Sequence, residues 1–149
     1  MPVKYILRDD GTPGAPPQDA HTGFTVVVAG SQIDANIFVA DAAYEVVAIR
    51  EVHSVAGAGS STLNIEKCTG TTAPGSGTDL ATTAFALDST ANTVVSKTTA
   101  SGLTTTQASK RLAVGDRLAL DWSGTVTAYV GTITVSLRRI YTANDQVGF

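Results

Sequence analysis

The feature that most limits how this chain can fold is a two-residue alternation of apolar and polar side chains. It recurs along the sequence and is cut about every eight to twelve residues by glycine, serine, threonine and asparagine. Residues 132–140 show it most plainly, with Ile133, Val135 and Leu137 on one side and Thr134, Ser136 and Arg138 on the other. A period of two is what a strand with one covered face requires, because successive side chains leave opposite faces of the backbone. Residues 117–122 repeat the pattern, with Leu118, Leu120 and Trp122 together. In 62–68, Leu63 and Ile65 face inward while Asn64 and Glu66 face outward. Residues 24–29 form a continuous apolar run closed by Gly30 and Ser31, and 37–40 a shorter one. The longest run, 44–53, places Val47, Ile49, Glu51 and His53 on one face and Ala48, Arg50 and Val52 on the other. Phe85 and Leu87 alternate with small residues, 93–99 forms a further strand, and 126–129 a short one broken by Gly131. Residues 98–109 fit strand or loop. Neither helical periodicity nor an internal repeat is present. The pattern predicts an all-β chain: a jelly-roll-like β-sandwich of about eight antiparallel strands with an extended N-terminal arm. The arm covers residues 1–23 and the sandwich 24–149.

Composition supports the same class and removes several functions. Charged residues make up 15% of the 149-residue chain, against about 25% in an average globular protein. Their place is taken by 22 Thr, 11 Ser and 14 Gly, and β-branched Thr suits a pleated, half-covered surface. A hydrophobic content of 43% excludes a disordered composition. The net charge is −3 and no basic block exists, so a nucleic-acid footprint is missing. The longest apolar runs, 24–29 and 42–49, fall far short of the roughly 20 residues of a membrane helix. The first ten residues lack an apolar run followed by a cleavage site. The single Cys68 excludes an intrachain disulfide and a cysteine-based zinc cluster. The expectation is a protein made in a reducing cytoplasm.

Four of the five prolines, Pro2, Pro13, Pro16 and Pro17, lie in the first segment. Residues 10–17 therefore cannot be helical and read as an extended, polyproline-like tether. Ahead of it stand Val3, Tyr5, Ile6 and Leu7, with Lys4 between the first two and Arg8 after the last. This apolar tip is either a first strand docked on its own domain or an arm that grips a partner.

No catalytic constellation emerges. His21, in the linker, and His53, at a strand end, have no histidine partner two or four positions away, so a metal site needs ligands assembled by the fold. His53 is expected to be a half-exposed strand residue. A Gly-x-Ser-x-Gly elbow is absent, and Ser60 and Ser76 lie in flexible glycine-rich loops. Lys67 and Cys68 point to opposite strand faces, so Cys68 reads as a small buried or interface thiol. Asp9, Asp10 and Asp116 have turn chemistry. Asp121 beside Trp122 suggests a sugar platform, but alternation places Trp122 in the core.

One resemblance adds to this reading. Residues 38–47, 52–57, 67–77, 91–94, 112–121 with their Leu112-Ala113-Val114-Gly115-Asp116-Arg117-Leu118 turn, and the final strand 133–140 resemble a family of tailed-bacteriophage head decoration proteins, which cement the capsid. The resemblance covers about two-thirds of the chain and rests on turns and strands. It implies a homotrimeric jelly roll on the capsid surface of the virion, made in the host cytoplasm and bridging subunits of the major capsid protein. It implies no catalysis, metal or cofactor. On that reading Val3, Tyr5, Ile6, Leu7 and Arg8 form a capsid-binding arm, a role resting on the arm's own chemistry, and Arg138 and Arg139 are candidate subunit contacts through fork-shaped carboxylate pairing. The alternative is a phage tail or fibre module that binds host-surface carbohydrate or a host receptor, which requires an exposed Trp122, Tyr129 or Tyr44. A cupin-like metalloenzyme on the same fold requires ligand clusters that two isolated histidines do not supply.

Overall fold

The computed structural model describes residues 21–29 and 33–140, together with the backbone of two short strands before them. Those two, β1 (Ile6–Leu7) and β2 (Pro13–Gly14), pair antiparallel with each other. The remaining strands are β3 (His21–Ala29), β4 (Ala35–Val39), β5 (Tyr44–Val55), β6 (Thr62–Cys68), β7 (Thr78–Asp79), β8 (Phe85–Ala86), β9 (Val95–Thr98), β10 (Arg111–Leu112), β11 (Arg117–Ser123) and β12 (Val130–Arg139). The one described helix, α1 (Gln107–Lys110), spans a single turn. No helix among the described residues is long and apolar enough to cross a membrane.

The strands make two antiparallel sheets. The first runs β10-β5-β12-β3, with β9 also on β5; the second runs β4-β11-β6-β7, with β8 also on β6. Most sheet neighbours are distant in sequence, β6 with β7 and β8 excepted, and the chain passes between the sheets from β3 through β4 and β5 to β6 and again from β11 to β12. That interleaving is the strand order of a jelly roll, so the all-β sandwich expected from the alternation is the fold observed. The core fills the space between the sheets. Val28, Val46, Ile49, Ile133, Val135 and Leu137 enter from the first, and Leu63, Ile65, Leu118 and Leu120 from the second. Apart from the step from Val46 to Ile49, core residues along each strand alternate with residues on the outer face, as the period of two demands.

Several local expectations need correction. The alternation on β5 is not uniform, because register shifts occur against β12. Ser136 pairs with Ala48 but Leu137 with Val46, which makes Val47 an extra residue and turns Val46 rather than Val47 into the core. Residues 126–129 are not a strand but a tight turn closed by the Tyr129 N–H on the Val126 carbonyl at 3.0 Å. Gly131, expected to break a strand, lies inside β12 opposite Val28. His21, expected in the linker, is the first residue of β3 and pairs with Arg138, so the sheet begins before residue 24.

Candidate functional site

Two groups of ionisable side chains form, one inside the sandwich and one on the outer face of the second sheet. The inner group grows out of the β5 alternation. Beyond Ile49 the same face carries Glu51 and then His53, and both are fully buried at 0% exposure. The half-exposed position expected for His53 is therefore wrong: the strand does not run out into solvent at this end, because the turn before β12 and the segment around Ser89 close over it. Tyr129, at the end of that turn, is also fully buried. Its hydroxyl donates to Glu51 Oε1 at 2.8 Å, and His53 Nδ1 lies 2.9 Å from the same oxygen. His53 Nε2 lies 3.0 Å from the Ser89 carbonyl. Both ring nitrogens thus face acceptors, a requirement only the doubly protonated imidazolium meets. Burial pulls the His53 pKa down, but the Ser89 carbonyl and the Glu51 carboxylate outweigh it, and the net shift is upward from 6.5. Burial, with Glu51 adding to it, pushes the Tyr129 phenol well above its ordinary range.

The reason for Gly131 lies here. A Cβ at that position would overlap the Tyr129 phenol, so the missing side chain is what lets the ring reach Glu51. Trp122 packs edge-on against Tyr129 with ring centroids 5.5 Å apart. Three buried side-chain polar atoms lack a partner among the described residues: Glu51 Oε2, Ser89 Oγ and Trp122 Nε1. Each belongs to this cluster or to a residue touching it.

The outer group sits on β6 and its neighbours. Asn64, Glu66 and Cys68 leave the core face, as the alternation predicts, yet all three are buried rather than solvated. The segment 69–82 folds back across them. Glu66 accepts the backbone N–H groups of Gly75 and Gly77, each at 2.6 Å, and the Cys68 thiol at 3.4 Å. Gly77 passes so close to the backbone of Lys67 and the Cys68 sulfur that a side chain would not fit. Burial, reinforced by Glu66, pushes the Cys68 thiol up to about 11, so it is a poor nucleophile at neutral pH. Asp79 pairs with Glu66 across β7 and β6, and Asp121 lies on the same face of β11. Carboxylate oxygens of Glu66, Asp79 and Asp121 come within 4.8 Å of one another. Burial raises the Asp121 pKa, with repulsion from Asp34, Glu66 and Asp79 adding to it; burial and Glu66 raise that of Asp79. The Glu66 carboxylate already holds two backbone amides, one on each oxygen.

The other sequence-derived candidates are dispersed. Val3, Tyr5 and Arg8 lie outside the described residues, and Ile6 and Leu7 are placed only as backbone paired with Gly14 and Pro13. Arg138 is committed to Glu45, its cross-strand neighbour, in a close ion pair. Arg139 is exposed at the end of β12. Tyr44 and Trp122 are half-buried against the core. Asp116 accepts the Ala113 N–H at 2.8 Å within its turn, and Lys67 bridges to it at 3.3 Å. Sequence reasoning missed the Glu51–His53–Tyr129 network and the Glu66–Asp79–Asp121 group. The shared face of Glu51 and His53 was a usable signal for the first. For the second no local signal exists, because Asp79 and Asp121 meet Glu66 only through strand pairing. No family model matches the chain, and no curated protein matches it. What fold and site define is a class: an all-β sandwich of jelly-roll strand order with a buried Glu51–His53–Tyr129 network.

Proposed function

We propose that this chain is a virion structural protein that decorates and stabilises a tailed-phage capsid by bridging major capsid subunits. The observation that carries the reading is where the polar chemistry goes. Glu51, His53, Glu66, Cys68 and Tyr129, five groups able to do acid, base or nucleophilic work, are buried and bonded to one another or to backbone. The outer face of the first sheet instead presents Thr25, Val27, Thr132, Thr134 and Ser136, with Arg50 bonded to Ser136. A charge-poor hydroxyl surface is covered by a partner at little desolvation cost. The arm contacts Val3, Tyr5, Ile6, Leu7 and Arg8 and the exposed Arg139 remain part of this proposal. A carbohydrate platform is disfavoured, since Tyr129 is fully buried and Trp122 is packed on it.

Two measurements test the reading. Mass spectrometry of purified particles is expected to recover the protein in capsid-stoichiometric amount; its absence from particles refutes the assignment. Deleting residues 2–17 is expected to weaken binding to isolated heads, and unchanged affinity removes the arm from the proposal.

A further inference from the structure

The two sheets expose their edges unequally. At the edges, β7, β8 and β10 span two residues each and β9 four. β4 spans five and carries a register shift against β11 between Leu118 and Ala119. Short strands and bulges are the usual means by which sheet edges avoid pairing with another chain. β3 has neither protection. It runs nine residues in unbroken register from His21–Arg138 to Ala29–Val130 along β12, and no described strand pairs with its other side. Its sequence, His-Thr-Gly-Phe-Thr-Val-Val-Val-Ala, has no Lys, Arg, Asp, Glu or Pro.

We infer that β3 is a self-association strand, on which a second copy of this chain pairs antiparallel about a two-fold axis and continues the first sheet across both molecules. The pattern of β3 is self-complementary about Thr25. Pairing centred there sets Phe24 against Val26 of the second copy and Val26 against its Phe24. Both side chains point to the core yet remain half-buried, as expected of core-facing residues at a layer that stops one strand short. Aromatic and β-branched residues directly opposite each other are favourable cross-strand pairs. His21 falls opposite Ala29, so no two ionisable groups meet. On the outer face Val27, 74% exposed, borders a shallow groove with Val52, Val130 and Thr132, and pairing continues that face with Thr25 and Val27 of the second copy. A two-fold contact is isologous and closes on itself, so it gives a dimer rather than a filament. The inference does not depend on the capsid reading.

The test is sedimentation of the full chain over a range of concentrations. The wild type is expected to be dimeric. Thr25 is exposed and its hydroxyl is bonded to that of Thr134 on the sheet surface, so Thr25→Lys is expected to leave the monomer fold intact while placing two ammonium groups opposite each other. Thr25→Lys alone and Thr25→Glu alone are each expected to raise the dimer dissociation constant at least tenfold, and an equimolar mixture to restore dimers. A wild-type monomer overturns the inference, as does a larger oligomer indifferent to Thr25→Lys. Oxidative cross-linking gives an independent reading: His21→Cys and Ala29→Cys are expected to cross-link as a mixture and not singly, and linkage of either variant alone overturns the antiparallel register.

Discussion

Replacing His53 with leucine is the sharpest test of the buried network. The substitution keeps an apolar side chain of similar bulk but removes both ring nitrogens. Glu51 Oε1 then keeps only the Tyr129 hydroxyl, and Oε2 gains nothing. Removing one partner of a buried ion pair costs about 3–5 kcal/mol, because the remaining charge stays desolvated. At roughly 3 °C per kcal/mol for a domain of this size, the melting temperature falls by about 9–15 °C. Both His53→Leu and Glu51→Leu/His53→Leu leave the Ser89 carbonyl unpaired, so they differ in that the double variant unpairs the neutral Tyr129 hydroxyl, at about 1–3 kcal/mol, in place of a buried carboxylate, at about 3–5 kcal/mol. The double variant is therefore expected to be more stable than His53→Leu alone. The pH dependence has a definite sign. The folded-state pKa of His53 lies above 6.5, so its contribution is complete below the unfolded pKa and declines as pH rises through the folded one. His53→Leu loses that decline. Trp122 is the only tryptophan and packs on Tyr129, so urea unfolding followed by its fluorescence, at about pH 6 and about pH 9, measures all three quantities. A cost below about 1 kcal/mol for His53→Leu, or a double variant as unstable as the sum of the singles, would refute the argument that a buried carboxylate depends on the imidazolium.

Other perturbations probe separate contacts. Gly131→Ala places a methyl group where the Tyr129 ring lies; an overpacking cost of about 1–3 kcal/mol and a changed Trp122 emission are expected in chemical denaturation, and wild-type values for both would contradict the proposed packing. Asp121→Asn relieves repulsion from Asp34, Glu66 and Asp79, and is expected to raise the melting temperature slightly at neutral pH, with the gain shrinking as pH falls and wild-type Asp121 takes up its proton; a drop in melting temperature would show that the carboxylate is needed there. Cys68, fully buried with its pKa pushed up to about 11, is expected to react with a thiol-specific disulfide reagent at neutral pH only at the rate of local opening. Prompt stoichiometric labelling of the native protein would contradict its placement beneath segment 69–82.

The fold is largely legible in the sequence because its signal is local. Thr62–Cys68 and Arg117–Ser123 follow directly from the alternation of Leu63 with Ile65 and of Leu118 with Leu120. The failures occur where tertiary contact overrides the local pattern. Val47 has the same apolar character as Val46, so nothing local says which is the bulged residue; only register against Ser136 and Leu137 decides it. Gly131 reads as a strand breaker because a glycine's usual reason is backbone freedom, whereas here the reason is the ring of a residue two positions earlier.

The two ionisable clusters were hidden for different physical reasons, and the difference says what each does. Glu51 and His53 share a face that sequence periodicity identifies, but periodicity does not distinguish a core face that ends from one that continues. A carboxylate and an imidazole two residues apart read as a strand emerging into water, and it takes the turn ending at Tyr129 to convert them into an interior pair. Glu66 fails in the opposite direction: its face is outward by every local rule, and it is buried because segment 69–82 returns across it with two glycine amides aimed at its oxygens. In one case the polar pair braces the inside of the sandwich, and in the other a single carboxylate clamps a long connection to the outside. Neither cluster lies on β3, whose free edge offers backbone hydrogen bonding and, His21 apart, side chains that do not ionise. A surface of that kind distinguishes partners by strand register rather than by charge, which is why substitutions at Thr25, rather than at any ionisable residue, separate the assembly of this protein from its folding.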